Sequence, residues 1–257
     1  MFQACRALRD SGILEELSVA RERGLTAQVA GERTRVPRYA AELMLEAGLA
    51  SGLCTCDDGE GPLRFAITPM GSYWLHDPLT QVNVDFNHHV CFEGAFKLRE
   101  ALLEGRPAGL PAIDPTGAAT VYEALRSLAP EVKQAWFGFD HFYSDGVFEQ
   151  CLPRVLSGAS TLVDVGANTD HFSRLCLERG VEHATLVDLP GQLAVAAEQL
   201  AAFTGRFTLH PVDVLKPTSP LPAGADVYWL SQFLDCFSET EIVHTLSRVR
   251  AAMGPGG

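Results

Sequence analysis

Apolar residues change period along this chain, and each change marks an element. In Met1–Glu16, Phe2, Cys5, Leu8, Ile13 and Leu14 recur at helical spacing and predict one N-terminal helix. Leu25–Val29 and Pro37–Ala47 predict two shorter helices, the second closed by Gly48 as a C-cap. Two short strands follow near Leu53–Thr55 and Leu63–Ile67, joined by the turn Asp57-Asp58-Gly59-Glu60-Gly61. Asp85–Leu156 reads as mostly helical, with a proline-glycine loop at Gly105–Pro115. Beyond it, strands predicted at Thr161–Val165, Thr185–Leu189, Arg206–Val212 and Ala225–Leu230 alternate with helical segments. The helices are a segment carrying Phe172, Leu175 and Cys176, then Gln192–Phe203 and Glu239–Met253. β-Branched runs without helical period, separated by amphipathic helices, specify a parallel sheet with helices packed on it. Ser238 with Glu241 three residues on is a capping box for the last helix.

The chemistry concentrates in Ser160–Leu189, a strand, glycine turn, helix and strand with an acid closing each strand. Gly166 permits a sharp turn because no Cβ stands in the way. Asp188 lies about 20 residues beyond it, where a nucleotide-binding unit places an acid on ribose hydroxyls. A dinucleotide loop wants three glycines, and only Gly166 stands among Gly166, Ala167, Asn168, Thr169 and Asp170. A carboxylate at Asp164 would repel phosphates and suits a ligand bearing an ammonium group. S-adenosylmethionine has such a group, with a ribose for Asp188 and an adenine beyond.

The stretch VDVGANT…LVDLPG resembles motif I and its acidic partner in class I methyltransferases. More narrowly, the chain resembles the caffeate-type small-molecule O-methyltransferases, closest to a subgroup of bacterial polyketide and aryl-polyene pathways. The aromatic string WFGFDHFYSD and the later SQFLDCF carry that closer likeness. The resemblance implies an α/β chain: an N-terminal winged-helix dimerisation domain over 1–84, then a helical linker and substrate-lid region over 85–157. An incomplete Rossmann-like class I methyltransferase domain then occupies 158–257. It implies S-adenosyl-L-methionine as cofactor and methyl transfer to a hydroxyl of a small aromatic or polyketide-type metabolite. Asp164, Gly166, Ala167, Asn168 and Thr169 would hold the methionine end, Asp188 the ribose and Asp213 the adenine, with Ser231 nearby. Trp136, Phe139, Phe142, Tyr143 and Gln232 would face the acceptor. Family members usually show His-Asp-Trp where Asp235-Cys236-Phe237 stands here. Asp235 therefore takes the place of the general base, with His141 as the other candidate.

Two departures from the family pattern qualify this reading. Relatives usually have glycine where Ala167 and Asp170 stand. A charge at Asp170 about 4 Å from the donor's carboxylate would cost on the order of 4 kcal/mol at an effective dielectric near 20. The alternative it raises is a catalytically inactive methyltransferase-like subunit that stabilises a partner enzyme. The sequence also ends at Met253-Gly254-Pro255-Gly256-Gly257, where the resembling fold turns into its fifth strand. Three expectations follow: a second chain supplying strands five to seven, a partner in a homodimer through the N-terminal domain covering the bare sheet edge of a chain turned scaffold, or a longer product.

Composition narrows the partners. The 257 residues carry a formal charge of −12, which disfavours a polyanionic ligand. Arg33, Arg35 and Arg38 near a winged-helix recognition position suggest DNA, but Glu32, Glu42 and the overall charge favour dimerisation without nucleic acid. Seven scattered cysteines point to reduced thiols in a cytoplasm. Neither Cys54 with Cys56 nor His88, His89 and Cys91 has zinc-knuckle spacing, so no metal centre is expected from them. No long apolar run predicts a membrane span or a signal peptide.

Overall fold

The computed structural model describes every residue except Asp58, Glu60, Arg126, 217–219 and 254–257. The predicted turn at 57–61 and the tail after Met253 therefore fall partly outside the described residues. The chain divides into two compact units, Met1–Ala95 and Phe96–Gly257.

In the first unit, α1 (Phe2–Asp10) and α2 (Ile13–Ala20) replace the single helix predicted from apolar spacing. The break falls at Gly12, whose φ of 81° lies in the left-handed region that ends helices. Leu8, Ile13, Leu14 and Leu17 are fully buried and pack with Ala30 of α3 (Ala27–Thr34) and Leu45 of α4 (Arg38–Ala50). Helix α4 runs past Gly48, so Gly48 is not the predicted C-cap. It is a packing position, where a Cβ would lie 2.8 Å from Leu8 Cδ2 and 3.1 Å from Cys54 Sγ. β1 (Cys54–Asp57) and β2 (Arg64–Ile67) pair antiparallel, with Cys54 opposite Ile67. α5 (Pro69–His76) and α6 (Pro78–Phe86) complete the unit. Four helices thus precede the two-stranded antiparallel sheet, where three helices and a wing are predicted. Cys5 and Leu8 of α1 are buried in this unit's own core. The apolar face of α1 is thus used within the unit.

The second unit begins with α7 (Leu98–Glu104), the short α8 (Val121–Ala124) and the 26-residue α9 (Pro130–Val155). The sheet follows: β3 (Thr161–Val165), α10 (His171–Glu178), β4 (His183–Asp188), α11 (Pro190–Gln199), β5 (Phe207–Pro211), β6 (Val227–Trp229) and α12 (Glu239–Met253). All neighbours are parallel, in the order β5-β4-β3-β6. Because successive strand residues face opposite ways, Leu162 and Leu186 pack with Phe172, Cys176 and Leu193, and Val163 and Val187 pack with Val249. The capping box forms as predicted: Ser238 Oγ and Glu241 Oε2 lie 2.7 Å apart. At the other end of the sheet, Asp226 Oδ2 accepts from Ser160 N, Thr161 N and Thr161 Oγ1, each at 2.9 Å. From β3 the chain winds one way to β4 and β5, and later returns to β3's other side as β6. A ligand crevice opens at the carboxyl ends of strands where the order reverses in this way. The fold thus puts the ends of β3 and β6 at its natural binding position.

Leu186 is fully buried on a central strand. Leu186→Ala is expected to lower stability by about 2–5 kcal/mol, read as an earlier midpoint in urea unfolding.

Candidate active site

β3 ends in Asp164 and Val165, and the chain then turns at Gly166 with φ 77°. The turn needs glycine twice over: a Cβ there would also lie 2.3 Å from the Phe233 ring. Gly166 N donates to Val187 O at 2.9 Å, which holds the turn against the end of β4. Asp188 locks the same junction, accepting from Asn168 N at 2.8 Å and Leu189 N at 2.6 Å. Asn168 Nδ2 reaches Asp140 on α9 at 2.7 Å. Loop, strand and helix are therefore joined through one residue, Asn168.

These elements enclose a cavity of about 370 Å³ within the second unit. Its walls include Asp164, Gly166, Ala167, Asn168, Thr169, Asp188, Asp213, Ser231, Gln232, Trp136 and His141, so eleven of the residues singled out above converge. Four do not. Phe139, Phe142 and Tyr143 are absent from the walls; they cluster with one another, with Phe139 and Tyr143 ring centroids 4.9 Å apart. Helical phase explains this, because α9 presents Trp136, Asp140, His141, Ser144 and Phe148 to the cavity and turns the intervening aromatics away. Asp235 sits exposed on the turn Leu234–Cys236, and its neighbours Cys236 and Phe237 take the wall. The Asp235 charge still acts on Tyr122 and Cys236 of the wall.

Asp170 also departs from expectation. It is 2% exposed, and its Oδ2 accepts from Arg174 Nε at 3.0 Å. Asp170 is not part of the cavity wall, and its pairing with Arg174 offsets the charge predicted to repel a donor carboxylate. It does hold an unusual φ of 122°, a backbone state that glycine fills without strain.

Electrostatically, the wall is acidic. Glu123, Asp140, Asp164, Asp188, Asp213 and Glu241 line it, with no lysine or arginine among the described lining residues. Burial pushes the Asp164 carboxyl up to about 7, against a hydrogen bond from Ser173, and Asp188 up to about 6. Burial, followed by the neighbouring His171 charge, holds the His141 imidazole below its ordinary value. Three polar atoms on this wall are buried without a partner: Asn168 Oδ1, Thr169 Oγ1 and Trp229 Nε1. Buried polar atoms are nearly always hydrogen-bonded in folded proteins. Orphans grouped around one cavity are what a polar ligand leaves behind, and the acidic wall specifies a cationic one.

No family model matches the chain. It is 25% identical over 264 residues to the L-tyrosine C(3)-methyltransferase of Streptomyces lavendulae, covering all of this chain and 69% of that protein. It is 29% identical to the 3-amino-4-hydroxybenzoate 4-O-methyltransferase of Streptomyces cremeus, over 77% of this chain and 54% of that protein. Among solved structures it superposes on the S-adenosylmethionine-dependent methyltransferase SibL with a TM-score of 0.67 at 24% identity, covering 100% of this chain and 74% of that one. It also matches an O-methyltransferase from neocarzinostatin biosynthesis, solved with S-adenosylmethionine and a hydroxymethylnaphthoic acid, with a TM-score of 0.62 at 22% identity. There the match covers 100% of this chain and 77% of the other. These two superpositions speak for the fold. The chain is similar in sequence to small-molecule methyltransferases and shares the fold of S-adenosylmethionine-dependent ones.

The residues lining this cavity fit S-adenosylmethionine. An ammonium group would find Asp164 and the unpartnered Asn168 Oδ1 there, and ribose hydroxyls would find Asp188. Sequence reasoning missed Asp140 and Asn168 as a pair, and missed His171, Thr120, Tyr122, Glu123 and Glu241 in the wall. Helical phase along α9 would have found Asp140. Tyr122 and Cys236, 114 residues apart and in contact at 2.9 Å, carry no local signal.

Asp164 and Asp188 hold protons more tightly folded than unfolded, where their reference value is 3.8. Their contribution to stability is therefore full below about 4 and is lost as pH rises through about 6 and about 7. The melting temperature of the ligand-free chain is expected to carry a falling component across that window. Asp164→Asn should flatten it in a pH series of thermal melts.

Proposed function

We propose that this chain transfers a methyl group to a hydroxyl of a small aromatic or polyketide-type molecule. The observation that carries this reading is the group of unpartnered buried polar atoms on an acidic wall at the ends of β3, β4 and β6. S-adenosylmethionine, when bound, supplies a sulfonium methyl open to in-line attack. Asp164, Asn168 and Thr169 bind its methionine end, Asp188 its ribose, and Asp213 its adenine. The acidic wall favours a cationic donor over the neutral product left after transfer, which aids release. Trp136, Tyr122, Phe233 and Phe237 give the remainder of the cavity flat aromatic surfaces suited to a planar acceptor. Relatives that act on a tyrosine and on an aminohydroxybenzoate support an aromatic substrate.

His141 is the base in this reading. Its Nδ1 lies 3.5 Å from Asp145 Oδ1, which fixes the ring and leaves Nε2 for the acceptor proton. A proton affinity lowered by burial keeps the imidazole neutral near pH 7, the form that accepts. As the acceptor oxygen bonds to the methyl carbon, its proton passes to Nε2. The protein's main contribution is to hold the two reactants in line.

For partners, the reading includes self-association. Phe96, Leu98, Leu102 and Leu103 are 59–76% exposed around α7, and Tyr39 and Tyr73 are similarly exposed in the first unit. Large apolar side chains left exposed in this way suit contact with another chain. Seven free cysteines support a reducing interior as the site of action; among the described residues, no helix is long and apolar enough to cross a membrane.

The test is transfer of labelled methyl from S-adenosylmethionine to a panel of phenols and naphthols. His141→Gln is expected to lower kcat by about 10²–10⁴-fold while donor affinity changes little. Unchanged kcat in that variant would remove His141 as the base, and no transfer to any hydroxyl would remove the reading.

A further inference from the structure

We propose that His141, Asp145 and His171 form a binding site for a divalent transition-metal ion in the wall of this cavity. The fold brings the three together by simple means. His141 and Asp145 are four residues apart on α9 and share a face, and His171 is the first residue of α10. His171 Nδ1 lies 2.9 Å from Asp145 Oδ2, and His141 Nδ1 lies 3.5 Å from Asp145 Oδ1. One ligand atom from each residue fits within 4.8 Å of the other two. Metal bonds of about 2.0–2.1 Å place neighbouring ligands roughly 2.9–3.4 Å apart, for octahedral or tetrahedral angles. The two nitrogen–oxygen separations bracket that range.

The donor set selects the ion class. Two imidazoles and one carboxylate suit zinc, iron, cobalt, nickel or copper, whereas magnesium and calcium prefer an all-oxygen shell. The local charge favours a dication. Asp140, Asp145 and Asp170 all act on the two rings, and Arg174, bound to Asp170, offsets one of these charges. With neutral imidazoles these groups together are net negative. The rings now stack with centroids 3.7 Å apart and planes 16° from parallel, so binding requires them to fan open until both lone pairs converge. His141 and His171 both line the cavity, which leaves further coordination positions toward a small molecule. An ion on His141 Nδ1 would leave the proton on Nε2, and transfer that relies on His141 as base would slow.

Cobalt(II) titration of the full chain tests this. Ligand-field bands in the visible are expected to saturate at one equivalent, without thiolate charge-transfer absorption. His171→Ala and Asp145→Asn should each weaken binding on the order of tenfold or more. No bands, thiolate bands, or equal affinity in both variants would overturn the proposal. Should either variant fail to fold, copper(II) paramagnetic resonance on the unaltered chain gives an independent answer. Hyperfine coupling to two imidazole nitrogens supports the site, and coupling to fewer than two contradicts it.

Discussion

Two carboxylates, one buried and one half-buried, at the ends of adjacent parallel strands govern this molecule. Asp164 and Asp188 close β3 and β4, and burial raises both above the ordinary carboxylate range. Such groups are unfavourable in a fold that has nothing for them to bind. The surroundings are arranged around them: Ser173 Oγ donates to Asp164 at 2.8 Å, and Asn168 N donates to Asp188. The glycine turn, the contact to α9 through Asp140 and the stacking of Phe172 on Trp229, 4.1 Å between centroids, all build outward from that junction. What stays unsatisfied faces the cavity. The site is a place where the chain has left polar atoms short of partners, and a cationic, hydroxylated ligand supplies them.

Much of this was legible in residue order. β-Branched runs gave the parallel strands, and Thr161–Val165 and Glu239–Met253 match their predicted bounds. The capping box at Ser238 and Glu241 was readable because its chemistry is local. Asp164, Gly166 and Asp188 were readable because a strand–turn–helix–strand unit fixes their separation. Gly12 and Gly48 show the limit: both are glycines near predicted helix interiors or ends, and only packing decided which one broke a helix. Gly48 lies against Leu8, some forty residues earlier, and no local rule carries that contact.

The misplacements in the site have the same origin. WFGFDHFYSD reads as one aromatic patch, but a helix divides it between two faces. Composition alone assigned Phe139, Phe142 and Tyr143 to the cavity, where phase assigned Asp140, His141 and Ser144. Asp170 looks unpaired in the sequence, and the helix supplies its partner, Arg174, one turn on. The His141–Asp145–His171 cluster joins two helices separated by a strand, so only the fold assembles it.

The central claim, that the strand-end carboxylates and their loop bind S-adenosylmethionine, is most directly tested by calorimetric titration of that molecule into the chain near pH 6. In buffers of different ionisation enthalpy, the account predicts binding to one site with net proton release, as Asp164 and Asp188 give up protons to face a cation. No binding, or binding accompanied by proton uptake, would contradict it.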